Sequence, residues 1–269
     1  MNSEIIFPSC QLKPFINYYW IVELNNPYID ISYSQRIVPN GMTELFFHFG
    51  DKLISCKENI KTTHPAISIS GQTTSFFDVF QTGKTGFISI LFKPHSVKLF
   101  FDLSPVEISN EIIDLNLIIK NEAKIILEKI EEIKDNSIRI QIIENFLIKQ
   151  YKEKNTYNFN RLSNCFKSIH ITKGNIKISD LAKITCLSDK QFYRVFLEYT
   201  GISPKEFIKI IRVQNALAQL QQNKQKDLFQ MAISCGYYDQ SHFIKDFKIL
   251  TGFTPKEYLE SQNIYPDYF

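Results

Sequence analysis

Two hydrophobic rhythms divide the chain. Up to about residue 92, apolar residues come in short runs that predict strands at 18–24, 35–38, 43–49, 66–70, 76–81 and 86–92. Between them lie Pro39-Asn40-Gly41, Gly50-Asp51, Ser70-Gly71 and Thr82-Gly83, which favour tight turns. Strands of this length and spacing fold into a small barrel or sandwich. Residues 94–102 and 111–119 read as helical. Amphipathic helices are expected at 121–134, with Ala123, Ile126, Leu127, Ile130 and Ile133, and at 137–151, with Ile138, Ile142, Ile143, Phe146 and Leu147. The expected fold of residues 1–151 is α+β, a β-rich, barrel-like domain with trailing helices. Residues 152–160 are polar and aperiodic, as in a linker. From 161 to 269 the rhythm is helical throughout, beginning with Leu162, Phe166 and Ile169.

This second part contains a repeat at an offset of 51 residues. Phe192, Phe196, Thr200, Gly201, Pro204, Lys205 and Glu206 recur as Phe243, Phe247, Thr251, Gly252, Pro255, Lys256 and Glu257. Each Phe pair is spaced i,i+4 and lies on one helix face. Gly201 and Gly252 stand where a left-handed residue ends a helix. Ser203 to Glu206 and Thr254 to Glu257 are capping boxes with proline at the first helical position. A short helix precedes each unit. Ser179 or Asp180 is placed to cap the first, and Asp227 the second. Two helix-turn-helix motifs follow, at about 179–200 and 227–251, joined by a long helix at 204–221. The C-terminal domain is thus expected to be all-α. The connecting helix would span about 26 Å, near the ~34 Å of one DNA turn.

Charge sharpens the contrast. The net charge of +3 is unevenly shared: residues 1–157 hold 16 basic and 18 acidic residues, and 158–269 hold 15 and 10. The basic excess lies with the repeat and favours a polyanionic partner. The length of 269 residues suits two domains, and 44% hydrophobic with 22% charged residues suits a globular chain. No apolar run approaches the ~18 residues of a membrane span, and the first residues do not read as a secretory signal. The five cysteines, Cys10, Cys56, Cys165, Cys186 and Cys235, include no C-x-x-C spacing. Free thiols in a reducing cytoplasm are expected, without disulfides or a cysteine zinc site.

Residues 188–196 (SDKQFYRVF), 201–207 (GISPKEF) and 236–258 (GYYDQSHFIKDFKILTGFTPKEY) closely resemble the DNA-binding domain of AraC/XylS-type transcriptional regulators. The resemblance implies a sequence-specific regulator whose two recognition helices enter successive major-groove segments of double-stranded DNA. Carried over position by position, it favours Lys190, Tyr193 and Arg194, then Gln240, Ser241, His242, Ile244 and Lys245. Exposure reasoning adds Gln191, to read adenine or cap its own helix, and Lys248, for a phosphate. Leu197, where a basic residue is common, and Asp246, a negative charge on the second helix, depart from the family pattern. Residues 14–20 (PFINYYW), 38–50 (VPNGMTELFFHFG), 70–73 (SGQT) and 92–96 (FKPHS) resemble an uncharacterised domain often fused to such DNA-binding domains. By analogy it would sense a small-molecule effector or form a homodimer; an activator would also meet RNA polymerase.

His48, His64 and His95 with Glu44 raise the question of a metal site. The H-x-H spacing of metal-binding cupins is absent, and strand residues four apart lie about 13 Å apart. No metal, cofactor or catalytic residue is expected, and the chain reads as a non-enzyme. Alternative readings are a DNA-associated enzyme, for which Cys10 and Cys56 lack partners, and a constitutive architectural DNA binder. Aromatic residues such as Trp20, Tyr18, Phe46 and Phe76 are expected mainly to fill the core.

Overall fold

A computed structural model describes residues 2–24, 34–119, 122–152, 156–222 and 227–260. Ten strands form two antiparallel sheets. The larger has the order β1 (Asn2–Ile6), β2 (Ile16–Leu24), β9 (Thr85–Phe92), β4 (Thr43–Gly50), β7 (Ile67–Ser70) and β10 (Ile112–Asp114). The smaller runs β3 (Ser34–Ile37), β8 (Phe77–Gln81), β5 (Leu53–Lys57) and β6 (Ile60–Thr63). The two sheets are separate, so the architecture is a sandwich; the barrel alternative does not form.

Alternation along β2 shows how the larger sheet becomes a middle layer. Trp20 and Val22 join Leu53, Phe87 and Leu91 in a core between the sheets. Tyr19 and Ile21 turn the other way, into a core shared with helices α2 (Glu122–Glu131) and α3 (Asn136–Gln150). On that side Phe47 meets Phe146 edge-on at 6.4 Å. The central strand β9 is buried at every position, as required of a strand covered on both faces.

From Thr156 on, the described residues form helices: α4 (Thr156–Ile171), α5 (Ile178–Ile184), α6 (Asp189–Thr200), α7 (Pro204–Gln222), α8 (Leu228–Ser234), α9 (Gln240–Thr251) and α10 (Pro255–Glu260). The main core continues into this part without a break. Phe15 touches Phe100 and Tyr151 on one side and Phe159 of α4 on the other, with ring centroids 5.0–5.5 Å apart.

Several local expectations differ from what forms. Residues 94–102 contain only a 3₁₀ turn at Val97–Leu99. Val97, Leu99, Phe100 and Phe101 are all buried; in an α-helix they would point in every direction. Residues 111–119 divide into β10 and the short helix α1 (Asn116–Ile119), because β10 pairs with β7 and closes the sheet edge. Strands β1, β5, β6 and β10 have weak or no apolar alternation, and β6 is exposed at all its positions. Of the stretch expected as linker, residues 153–155 lie outside the described residues, and α4 begins at Thr156.

Candidate nucleic-acid interface

The two repeated units close their turns in the same way. After α5, Cys186 N donates to Lys183 O and Leu187 N to Ala182 O; after α8, Gly236 N donates to Ile233 O and Tyr237 N to Ala232 O. These are Schellman turns, with the left-handed position held by Cys186 (φ 52°) and Gly236 (φ 80°). The buried Ala182 and Ala232 let the second helix of each motif approach closely.

Helices α6 and α9 begin and end alike. The first starts with a capping box between Ser188 and Gln191, and the second with the Asp239 carboxylate accepting from His242 N at 2.8 Å. They end at Gly201 (φ 83°) and Gly252 (φ 79°). The Thr200 and Thr251 hydroxyls donate back to Phe196 O and Phe247 O, both at 2.8 Å. The first motif starts earlier than expected, with Lys177 at the cap of α5 and no side-chain hydrogen bond from Ser179 or Asp180 to that cap. Asp227 caps α8 as expected.

Phe192, Val195, Phe196, Phe243 and Phe247 are buried. Lys190, Gln191, Tyr193, Arg194, Ser241, His242, Lys245 and Lys248 are exposed, and Gln240 and Ile244 half-buried. The Gln191 side-chain oxygen accepts from Ser188 N at 3.2 Å, so its capping role is realised and its carboxamide oxygen is engaged. His242 pairs with the mostly buried Asp246 at 3.4 Å, and its ring meets Tyr237 edge-on at 5.3 Å. Burial, and then the charge of Asp246, hold the Tyr237 hydroxyl above its ordinary pKa.

Tyr193 of α6 and His242 and Lys245 of α9 line one open cleft of about 870 Å³ between the two motifs. Its floor adds Lys205, Lys209 and Arg212 of α7, with Lys177 at one side. The floor residues were missed among the sequence candidates. Their i, i+4, i+7 spacing on one basic helix face was the available signal. Arg212 has a second duty, since its Nε donates to Gly174 O at 2.9 Å.

Comparison with known proteins agrees with this geometry. Residues 181–261 match the family described as a helix-turn-helix domain, and residues 4–114 match a domain of unknown function, DUF6597. Residues 181–261 form a helix-turn-helix domain. The chain is 33% identical over 87 residues to an uncharacterized HTH-type transcriptional regulator of Haemophilus influenzae, covering 32% of this chain and 29% of the relative. It is 32% identical over 138 residues to the probable transcriptional regulator LumQ of Photobacterium leiognathi, covering 48% of this chain and 55% of the relative. The matches thus span between about a third and about half of these curated relatives. The crystal structure of ToxT from Vibrio cholerae O395 aligns over 91% of this chain and 98% of that one, at 14% identity and a TM-score of 0.47.

The helix-turn-helix domain is held by its neighbours at the C-terminal ends of both second helices. A Cβ at Gly201 would overlap the Pro105 carbonyl, and one at Gly252 would overlap the Arg36 guanidinium. Arg36 donates to both carboxylate oxygens of Asp78 at 2.8 and 3.1 Å and to Thr251 O at 3.3 Å. Its guanidinium also faces the Phe76 and Phe253 rings at 4.2 and 4.6 Å. Lys98 pairs with Glu198 near the end of α6. Buried Gln214 of α7 donates to Pro39 O at 2.5 Å. His95 lies stacked between Phe159 and Phe166, with Ser163 Oγ 2.8 Å from Nε2. Burial, reinforced by the charge of Lys93, lowers its pKa to about 3 and keeps it neutral.

Of the residues weighed for a metal, His48 and His64 do meet, with ring centroids 5.6 Å apart. His95 lies instead against α4. Among the described residues no group of three or more His, Cys, Asp or Glu side chains is placed to hold an ion. No described helix is long and apolar enough to cross a membrane.

Proposed function

We propose that the protein is a sequence-specific, DNA-binding transcription regulator of AraC/XylS type. Residues 161–269 bind DNA and residues 1–151 modulate that binding. The observation that carries this reading is the pair of matching helix-turn-helix motifs, whose second helices reach one lysine-rich cleft through Tyr193, His242 and Lys245. Each second helix enters a major-groove segment, and α7, with 19 residues and a length of about 28 Å, joins the two motifs. Lys190, Tyr193 and Arg194 read one segment; Gln240, Ser241, His242, Ile244 and Lys245 read the next. Lys248, Lys205 and Lys209 meet phosphates. Gln191 contributes through its cap. Relatives described as HTH-type transcriptional regulators support this reading.

The partners are double-stranded DNA and a small-molecule effector, with a homodimer and, for an activator, RNA polymerase as further partners in the cytoplasm. Binding-site selection on genomic fragments, with and without cell metabolites, tests the reading. Enrichment of a bipartite site with two half-sites about one helical turn apart is expected, with affinity falling steeply as salt rises. Recovery of random fragments would reject sequence-specific binding.

A further inference from the structure

The two sheets enclose a cavity of about 90 Å³. At the ~10–15 Å³ that one water-sized group needs, it has room for roughly six to nine such groups. Its wall is aromatic on several sides: Trp20, Phe46, Phe77 and Phe87 all contribute. Among the described residues of that lining, Glu44 is the one acid, and there is no lysine or arginine.

The Glu44 carboxylate is held by neutral groups only. Ser89 Oγ donates to Oε2 at 2.8 Å and Asn40 Nδ2 donates to Oε1 at 3.1 Å. Each oxygen therefore keeps a free lone pair. Burial, the largest effect, holds the carboxyl above its ordinary pKa against the two hydrogen bonds, so a cation seated on it would itself favour the ionised form. Two more polar groups in the same lining are unsatisfied: Gln35 Nε2 and both ring nitrogens of His64 are buried without a hydrogen-bond partner among the described residues. Burial lowers the His64 pKa to about 4, so the ring is neutral and offers one donor and one acceptor. A hydrogen-bonded carboxyl with no cationic side chain among the described lining residues, several aromatic side chains and spare neutral polar groups share this one wall. A cation meets the carboxyl and the aromatic side chains together, whereas an anion finds no lysine or arginine among the described residues of the lining.

We propose that this cavity binds a small organic cation, a protonated amine on an apolar body, with its ammonium seated on Glu44. The inference rests on the reading of residues 1–151 as the modulating part of a regulator, and it names the class of effector. Placement in the fold gives the ligand a route to the DNA-binding side. Gln35 and Ile37 of β3 line the cavity, while Arg36 between them holds Thr251 and Phe253 at the end of α9. Phe77 and Val79 of β8 line it as well, while Asp78 between them anchors Arg36. A ligand in the cavity bears directly on the strand pair that braces the second recognition helix.

Isothermal titration of the full chain at pH 7 with benzylamine, benzyl alcohol and benzoate separates charge from size. Isopentylamine serves as a smaller amine. The amines are expected to bind roughly tenfold or more tightly than benzyl alcohol, and benzoate not at all. Glu44→Gln is expected to bring benzylamine down to the level of the alcohol. Equal binding of the alcohol or benzoate overturns the proposal, as does the absence of binding by both amines. The wild-type comparison decides the matter even if the Glu44 variant does not fold. Because these titrations contain no DNA, a chain that selects a DNA site yet ignores the amines loses this inference alone. One that binds amines but no DNA site loses the regulator reading.

Discussion

Cys186 occupies a backbone position that its counterpart in the second motif fills with glycine. A left-handed conformation costs an L-residue roughly 1–2 kcal/mol, and glycine carries no such penalty. Cys186→Gly is therefore expected to raise stability by about 1 kcal/mol, read as a higher urea midpoint at an unchanged slope. At this scale function and capping are also separable. Gln191 spends its side-chain oxygen on Ser188, whereas Arg194 is exposed and its guanidinium fork is suited to guanine O6 and N7. Arg194→Ala should weaken binding to the selected site by about 1–3 kcal/mol and relax preference at one base position. Unchanged affinity and preference in a repeat selection would refute the proposed orientation of α6.

At the level of elements, the second helices of the two motifs, α6 and α9, depend on aromatic stacks beneath them. Phe243 meets Tyr237 and Phe247 at 5.3 and 5.7 Å and is fully buried. Phe243→Ala should destabilise the chain by about 3–5 kcal/mol. Tyr238→Ala, at a side chain 91% exposed on the neighbouring turn, should stay within about 0.5 kcal/mol. Equilibrium denaturation compares the two directly. These helices were legible because caps, glycine stops and apolar spacing are local and occur twice. The strands β5 and β6 were not. Their turn places Glu58 and Asn59 at positive φ, without the Asn-Gly or Asp-Gly pair that announces a hairpin. The expected helix at 94–102 failed for a related reason. Its hydrophobic residues face several partners, and no single-stripe pattern encodes that.

For the whole molecule, three buried histidines link stability to pH. His48 and His95 have pKa values lowered to about 3 and His64 to about 4, chiefly by burial. The unfolded chain, with histidines near 6.5, binds more protons between about pH 4 and 6.5. Stability should thus be full above pH 6.5 and fall as pH drops toward 4. Thermal unfolding across that range checks the sign, and His95→Gln should flatten the slope. The Arg36 brace makes a second prediction. Its charged hydrogen bonds tie the smaller sheet to the end of α9, and each such bond typically contributes about 1.5–3 kcal/mol. Arg36→Ala should speed amide exchange near Thr251–Phe253 by roughly ten- to a hundredfold while leaving α6 protected. Equal loss at both helices would show that Arg36 supports the fold as a whole.

The sequence by itself determined the duplicated helical unit, its turns, every expected cap but that of α5, the inward aromatic residues and the outward basic ones. All of these depend on neighbours within a few residues, and the second copy repeats the first. It also determined that β2, β3, β4, β7, β8 and β9 are strands, because their apolar runs and turns are local. Tertiary structure alone decided how the strands divide into two sheets, and that β10 closes an edge. It also gathered Lys177, Lys205 and Lys209 beside α6 and α9, clamped the ends of both recognition helices, and enclosed Glu44 in an aromatic cavity. Those outcomes rest on contacts between residues far apart in the chain, such as Arg36 with Thr251 and Gln214 with Pro39, whose cost in chain entropy is offset only by the assembled core.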